Sequence, residues 1–195
     1  SWIIDAAKLS KEENFALTKQ CVEYAKQVGA LTGQDILIEA ELGYIGQSSK
    51  VMDKIPDGVG LDPESLTHAD EVAEFVAATG IDLIAPAVGN IHGLIKGGNP
   101  KLNIERIAEI TAASPAGVVL HGASGIGLDE LKAAVEAGVR IVHYNTELRV
   151  AYEQALAKFI QENPEETTPY KLTKTATEAV SKVVEEKLLI MNKMV

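Results

Sequence analysis

The sequence predicts an α/β protein built around a parallel β-sheet. Short, nearly continuous aliphatic runs alternate with amphipathic helical stretches through all 195 residues, and such runs are typical of strands buried on both faces of a parallel sheet. Aromatic residues make up only 5% of the chain whereas glycine occurs 16 times, which suits tight strand-to-helix connections rather than a β-sandwich. The alternation implies right-handed crossovers, and it leaves two architectures open: a doubly wound open sheet or part of a (β/α)8 barrel.

Five aliphatic runs are predicted to be the strands of this sheet, because each is short and bounded by glycine or polar residues. They are residues 2–4, 36–38, 83–88, 118–120 and 139–144. No G-x-G-x-x-G motif follows the first run, which argues against the dinucleotide-binding form of a doubly wound sheet. The long connection at residues 43–66 joins a strand end to a helix, and this is the catalytic side of the sheet in both architectures.

Six amphipathic helices are predicted between and after the strands. The first opens with a capping box formed by Ser10 and Glu13, carries an apolar stripe and ends at Gly29. That stripe consists of Leu17, Cys21, Tyr24 and Val28. The remaining helices are predicted around residues 67–80, 104–110, 128–138, 146–163 and 172–191.

The charge and cysteine content exclude several functional classes. The chain carries 18 basic and 28 acidic residues, a formal net charge of −10, so we expect no binding to nucleic acid or to anionic membranes. No apolar run approaches the ~20 residues that a transmembrane helix needs. The single cysteine, Cys21, excludes a disulfide framework and is typical of a reducing compartment, so a cytoplasmic location is expected. An anionic ligand must therefore be held locally, by backbone dipoles or by a metal.

Four polar side chains lie at or just beyond the ends of predicted strands: Glu41, His92, His121 and His143. Because the carboxyl ends of parallel strands share one edge, these side chains are expected to converge on one cavity. Two imidazoles beside a carboxylate indicate a divalent metal, most readily zinc. The alternatives are that each histidine is a hydrogen-bonded residue of the core or the rim, and that Glu41 is a solvated strand end.

A candidate phosphate site follows the fourth strand. The segment Gly122-Ala123-Ser124-Gly125 leads into a helix at Leu128, so its backbone N–H groups lie at a helix N-terminus. Such groups bind anions by hydrogen bonding and through the helix dipole. The alternative is an ordinary strand-to-helix turn, which also favours glycine and serine.

Four segments together resemble the zinc-dependent class II fructose-bisphosphate aldolases and the neighbouring tagatose-bisphosphate aldolases. They are Glu39-Ala40-Glu41-Leu42-Gly43, Gly89-Asn90-Ile91-His92-Gly93, Val119-Leu120-His121-Gly122-Ala123-Ser124-Gly125 and Asn145-Thr146-Glu147-Leu148-Arg149. The resemblance covers essentially the whole chain. It implies a (β/α)8 TIM barrel of which residues 1–195 form a single domain holding about strands 4–8, with residues 170–195 as a terminal helix packed on the barrel.

The resemblance also implies roles for individual residues. His92 and His121 match two of the family's three zinc-binding histidines, and Glu41 matches a carboxylate beside the metal, where it is a candidate ligand and catalytic group. A Na⁺ or K⁺ ion near the phosphate loop is expected as a second cofactor. The residues expected to bind the substrate and its phosphate are Gly93, Gly122, Ala123, Ser124, His143, Asn145 and Thr146.

The implied activity is the reversible cleavage of fructose 1,6-bisphosphate into dihydroxyacetone phosphate and glyceraldehyde 3-phosphate, in glycolysis and gluconeogenesis. Zinc would act as a Lewis acid on the carbonyl, backbone amides would fix the phosphate, and an aspartate would move the proton. Tagatose bisphosphate is an alternative substrate. The resemblance further implies a homodimer or homotetramer. The apolar stripe of the terminal helix is expected to cover the barrel, and a subunit contact is the alternative. That stripe consists of Val180, Val184, Leu188 and Met191.

Three departures from the family pattern qualify this interpretation. The family's Asp-His pair, which supplies the catalytic aspartate and the first zinc histidine, belongs to a strand before Trp2, so residues 1–195 alone are expected to be inactive. His143 stands where the family has asparagine, and residues 46–50 lack the family's acidic cluster. Two other hypotheses therefore stay open: a non-catalytic sugar-phosphate-binding module, and a complete small doubly wound protein.

Overall fold

The computed structural model of the chain describes residues 1–192, and its centre is a parallel sheet of five strands. The strands are β1 (Trp2–Ile4), β2 (Ile38–Leu42), β4 (Leu83–Pro86), β6 (Gly117–Leu120) and β7 (Val139–Val142), in the spatial order β1-β2-β4-β6-β7. Each strand therefore lies beside the next one along the chain, with no reversal. A doubly wound sheet reverses its order at a switch point, so this arrangement is that of a partial (β/α)8 barrel.

Helices follow the strands in regular alternation, and a minor two-stranded sheet completes the fold. The helices are α1 (Lys11–Thr32), α2 (Ala69–Thr79), α3 (Ile104–Ala113), α4 (Leu128–Glu136), α5 (Thr146–Glu162) and α6 (Pro169–Met191), and the minor sheet pairs β3 (Val51–Met52) with β5 (Leu94–Ile95). Helix α6 packs against α5 and α4. Residues 193–195, the end of the predicted terminal-helix segment, lie outside the described residues. Within residues 1–192, no helix is both long enough and apolar enough to cross a bilayer.

Several element boundaries differ from the prediction. Strands β4 and β7 end at Pro86 and Val142 rather than at residues 88 and 144. The second strand was expected at residues 36–38 but spans Ile38–Leu42, because its residues from Glu39 onward pair in register with Leu83–Pro86 of β4. Its two glutamates thus lie inside the strand. Helix α1 was expected to end at Gly29 but continues to Thr32, where Gly33 adopts the left-handed conformation (φ 69°) and its N–H bonds the carbonyl of Gly29.

The apolar stripe predicted on α1 is not the face that the helix buries. Leu17 is 39% exposed and Tyr24 is 61% exposed. The inner face instead carries polar residues that hold the end of β2: the Asn14 side chain donates to the carbonyl of Glu41 (3.1 Å), and Thr18 donates to Asn14 (3.0 Å). The buried residues of α1 are Asn14, Thr18, Val22 and Ala25.

The stripe predicted on α6 is also misplaced. Val184 and Leu188 are 37% and 50% exposed, so this stripe does not cover the sheet. Helix α6 packs through a different face, whose buried residues are Ala176, Lys187 and Ile190. A charged side chain therefore lies on the buried side of α6.

The main hydrophobic core lies between the sheet and the helices. Phe75, Ile84, Ile107 and Leu131 are fully buried in it, and each such side chain contributes about 1.5–3 kcal/mol relative to exposure. Side chains alternate between the two faces of a strand, so Leu83 and Ala85 face away from this layer, in a small second cluster with Val119. Glu39 and Glu41 of β2 pair in register with Leu83 and Ala85, so they lie on this same face of the sheet, away from the main core.

A buried threonine hydrogen-bonds to the carboxyl ends of both β2 and β4. The hydroxyl of Thr67 donates to the carbonyl of Leu42 (2.6 Å) and accepts from the N–H of Ala87 (2.9 Å). Thr67 is only 3% exposed, and its hydroxyl adds two buried hydrogen bonds to the direct bond from the N–H of Ala87 to the carbonyl of Leu42 (3.1 Å).

We expect the Thr67→Val variant to lose about 1–3 kcal/mol in the free energy of unfolding, because it removes the two buried hydrogen bonds of the Thr67 hydroxyl. Thr79→Val is the matched control: Thr79 is also buried, but its hydroxyl only adds a bond to the Phe75 carbonyl within α2. Urea denaturation of both variants measures the difference. Equal losses in the two variants would contradict the role of Thr67.

Candidate active site

The predicted site residues meet in one cavity of about 390 Å³ at the carboxyl ends of the strands. Its wall is formed by Glu41, Ser49, His92, Gly93, His121, Gly122, Ser124, His143, Tyr144, Asn145 and Thr146. Ala123 is the one predicted site residue outside this wall. Its side chain is fully buried in the main core, and its N–H donates to the carbonyl of His143 (3.3 Å), so neither group faces the cavity.

His121 lies between two buried carboxylates of β2. Its Nε2 is 2.7 Å from Oε1 of Glu39, and its Nδ1 is 3.0 Å from Oε1 of Glu41. Strand residues two apart face the same side, which explains why Glu39 and Glu41 reach the same imidazole. All three side chains are less than 10% exposed, so the two carboxylates and the imidazole meet away from water.

The charges of this cluster shift the titration of two histidines in opposite directions. Burial alone lowers the pKa of His121, but the hydrogen bonds to Glu39 and Glu41 outweigh burial and raise it to about 9. In the metal-free protein at neutral pH, both ring nitrogens of His121 therefore donate. Burial and the neighbouring positive His121 lower the pKa of His143, whose ring stacks on that of His121 with centroids 4.6 Å apart.

His92 presents one nitrogen to the cavity. Its Nδ1 lies 2.7 Å from the carbonyl of Gly46. A carbonyl only accepts, so the proton is on Nδ1 and the neutral ring offers Nε2 as a ligand. The His92 and His121 ring centroids are 5.7 Å apart, which places the two histidines as neighbours around one point.

The residues of the cavity fit a divalent metal. One ligand atom each from Glu41, His92 and His121 lie within 4.8 Å of one another. Two imidazoles with a carboxylate are a set that suits zinc, and the hydrogen bond from His121 to Glu39 is the outer contact that typically orients such a ligand. A second group, Glu39 with His121 and His143, meets the same distance condition. The two groups share His121, so they would compete for it.

Two asparagines hold the backbone around these ligands. Asn90 donates to the carbonyl of His121 (3.0 Å) and accepts from the N–H of Val88 (2.8 Å). Asn99 donates to the carbonyls of Gly93 (3.1 Å) and Ser124 (2.8 Å), so it joins the two glycine-rich loops. The loops that carry His92 and the phosphate segment are thereby fixed to each other.

Backbone geometry explains the glycines of the phosphate loop. Gly122 has φ 62°, and a Cβ there would lie 2.1 Å from the carbonyl oxygen of Ile91. Of the four amides in residues 122–125, that of Ala123 donates to His143 and that of Gly125 donates to Glu147 (2.8 Å). The amides of Gly122 and Ser124 are therefore the ones this loop offers to an anion.

Sequence reasoning missed Glu39, Asn99 and Glu147. Glu39 was overlooked because the strand was predicted to end at Ile38; a strand reaching Leu42 would have placed Glu39 and Glu41 on one face. Asn99 and Glu147 act through partners 25 and 22 residues away, which no local pattern reveals.

We expect the His121 ring of the metal-free protein to titrate near pH 9, and Glu39→Gln to lower that pKa because it removes one of the two carboxylates. NMR of the ring nitrogens measures the titration. Glu178→Gln, at an exposed position on α6, is the control that leaves it unchanged. A His121 pKa near 6.5 in the unmodified protein would contradict the buried ion pair.

Comparisons with known proteins identify the family of the chain. The family described as class II fructose-bisphosphate aldolase matches residues 1–194. A fructose-bisphosphate aldolase of Staphylococcus aureus (strain Mu50) is 35% identical over 189 residues, which are 96% of this chain and 61% of that protein. The chain thus spans about three fifths of the relative that it matches.

Two solved structures share the fold. The YdjI aldolase of Escherichia coli K12 superposes with a TM-score of 0.71 at 31% identity, covering 97% of this chain and 58% of that one. The fructose-bisphosphate aldolase of Campylobacter jejuni gives a TM-score of 0.71 at 25% identity, covering 97% and 59%. With the family match over nearly every residue, the chain belongs to the class II fructose-bisphosphate aldolase family.

Proposed function

We propose that these residues form the zinc-binding and phosphate-binding part of an aldolase active site that cleaves a ketose bisphosphate, with fructose 1,6-bisphosphate as the leading substrate. The observation that carries the proposal is the shared cavity: the Glu41, His92 and His121 group and the loop of Gly122 and Ser124 line the same wall. A metal beside a phosphate cradle is what a phosphorylated carbonyl substrate requires.

In this proposal His92 binds zinc through Nε2 and His121 through Nδ1, with Glu41 beside them. Bound zinc supplies a Lewis acid that polarises the substrate carbonyl. Glu39 keeps a hydrogen on Nε2 of His121 and so directs Nδ1 toward the cavity. Glu41 lies within reach of the same point, and its role as ligand or as catalytic group stays a prediction.

The phosphate is held by the other side of the cavity. The amides of Gly122 and Ser124 donate to it, and the wall continues through Asn145 and Thr146. Backbone donors are already ordered before the substrate arrives, so binding orients the sugar without a large entropic cost. The Na⁺ or K⁺ ion expected near this loop, a cytoplasmic location and a dimeric or tetrameric assembly are further predictions from the family resemblance.

The remaining part of the site is proposed to come from outside these residues. From the family resemblance we expect the first zinc histidine and the catalytic aspartate on a strand before Trp2. We therefore expect residues 1–195 alone to cleave no fructose 1,6-bisphosphate in a coupled assay, whereas the natural protein that includes them cleaves it. Turnover by residues 1–195 alone would contradict this division of the site.

His143 favours a second candidate, a sugar-phosphate-binding module without aldolase chemistry. It replaces the asparagine of the family, and its ring stacks on His121, so it competes with His92 as the partner of that residue. Zinc content of the natural protein combined with titration by fructose and tagatose bisphosphates separates the candidates. Stoichiometric zinc with cleavage supports the aldolase, whereas phosphate binding without zinc supports the module.

Loss of a residue that only hydrogen-bonds a metal ligand typically weakens metal binding about 10–100-fold. We expect His92→Ala to weaken zinc binding by more than this, because it removes a ligand itself. His143→Ala should leave the affinity within about threefold, since it belongs to the competing group. His68→Ala, at the start of α2 and outside the cavity wall, is the matched control. Competition with a chelating dye measures all three. A larger loss in His143→Ala than in His92→Ala would place the metal between Glu39, His121 and His143 instead.

A further inference from the structure

The phosphate loop is tied to helix α5 by a reciprocal pair of hydrogen bonds. The N–H of Gly125 donates to Oε1 of Glu147 (2.8 Å), and the N–H of Glu147 donates to Oγ of Ser124 (3.2 Å). One carboxylate oxygen thus fixes the end of the loop. This carboxylate also brings a negative charge to the site at which a phosphate is expected, and two negative charges at close range repel each other.

The second oxygen of the same carboxylate has a buried cationic partner. Nζ of Lys187 lies 3.2 Å from Oε2 of Glu147, and the Lys187 side chain is only 10% exposed. Lys187 belongs to α6, and its Nζ also lies 5.3 Å from the centre of the Tyr144 ring. Glu186 is 3.9 Å away but half exposed, so water screens it and Glu147 is the closer partner.

A lysine is rarely buried unless its charge is paired. Here the ammonium group reaches the back of the phosphate loop from a helix that contributes nothing to the cavity wall. The chain from Lys187 through Glu147 to Gly125 and Ser124 consists of direct contacts of 3.2 Å or less.

We propose that Lys187 is a positioning residue of the phosphate site: it neutralises Glu147 and thereby lets that carboxylate hold the loop without repelling a phosphate dianion. The inference rests on the proposed phosphate-binding function. Helix α6 packs against α5 and α4. If the inference holds, α6 also affects phosphate affinity, through the charge of Lys187.

The test is a double-mutant cycle read out by binding of inorganic phosphate, with calorimetry or ³¹P NMR on the purified protein. Lys187→Met is expected to weaken phosphate binding about tenfold, because the negative charge of Glu147, whose side chain is only 22% exposed, is left without its cationic partner. Glu147→Gln keeps an oxygen for the Gly125 N–H but removes the charge, so it should bind phosphate at least as tightly as the unmodified protein. In the Glu147→Gln background, Lys187→Met should change the affinity by less than about threefold.

Lys182→Met is the matched control, since it removes the same charge from an exposed position on α6. If Lys187→Met fails to fold, the comparison of Glu147→Gln with the double variant still decides, because a markedly weaker double variant would mean that Lys187 acts independently of Glu147. Equal phosphate affinity of Lys187→Met and the unmodified protein would overturn the inference and leave the phosphate site intact. Failure of the unmodified protein to bind phosphate would overturn the proposed phosphate site itself.

Discussion

The hydrogen bond between Glu39 and His121 is the constraint on which the rest of the site depends. It joins residues 82 positions apart, one on β2 and one directly after the end of β6, and β4 lies between these two strands in the sheet. Adjacent strands lie about 4.8 Å apart, so the two side chains bridge roughly twice that distance across the sheet face. The small side chain of Ala85, in register with Glu41 on the intervening strand, suits this crossing. A buried carboxylate is costly unless it is paired, so the strands must keep this spacing.

The charges around the cavity are also paired locally. A chain with a net charge of −10 repels anions at long range, yet its cavity combines the imidazole of His121, which is paired with two carboxylates, with free backbone amides at the phosphate loop. Each negative side chain that approaches the cavity has a specific partner: Glu39 and Glu41 contact His121, and Glu147 contacts Lys187. The site is thus able to receive a metal and an anionic ligand within an acidic protein.

Much of the fold and of the cavity follows from the sequence, because both are encoded locally. Continuous aliphatic runs mark buried parallel strands, and the residues after them necessarily share one rim, which brought His92, His121 and the glycine-rich loop together. The errors concern what a local pattern cannot specify. An apolar stripe such as Leu17 and Tyr24, or Val184 and Leu188, predicts a helix but not which face the neighbouring elements cover. Asn14, Glu39 and Lys187 are buried because of distant partners.

We infer that Glu39 fixes the orientation of His121 so that Nδ1 faces the metal. A crystal structure of the natural protein soaked with zinc tests it most directly. We expect a zinc ion bonded to Nδ1 of His121 and Nε2 of His92 at about 2.0–2.1 Å, with Nε2 of His121 still hydrogen-bonded to Glu39. Zinc bonded to Nε2 of His121, between Glu39 and His143, would contradict it.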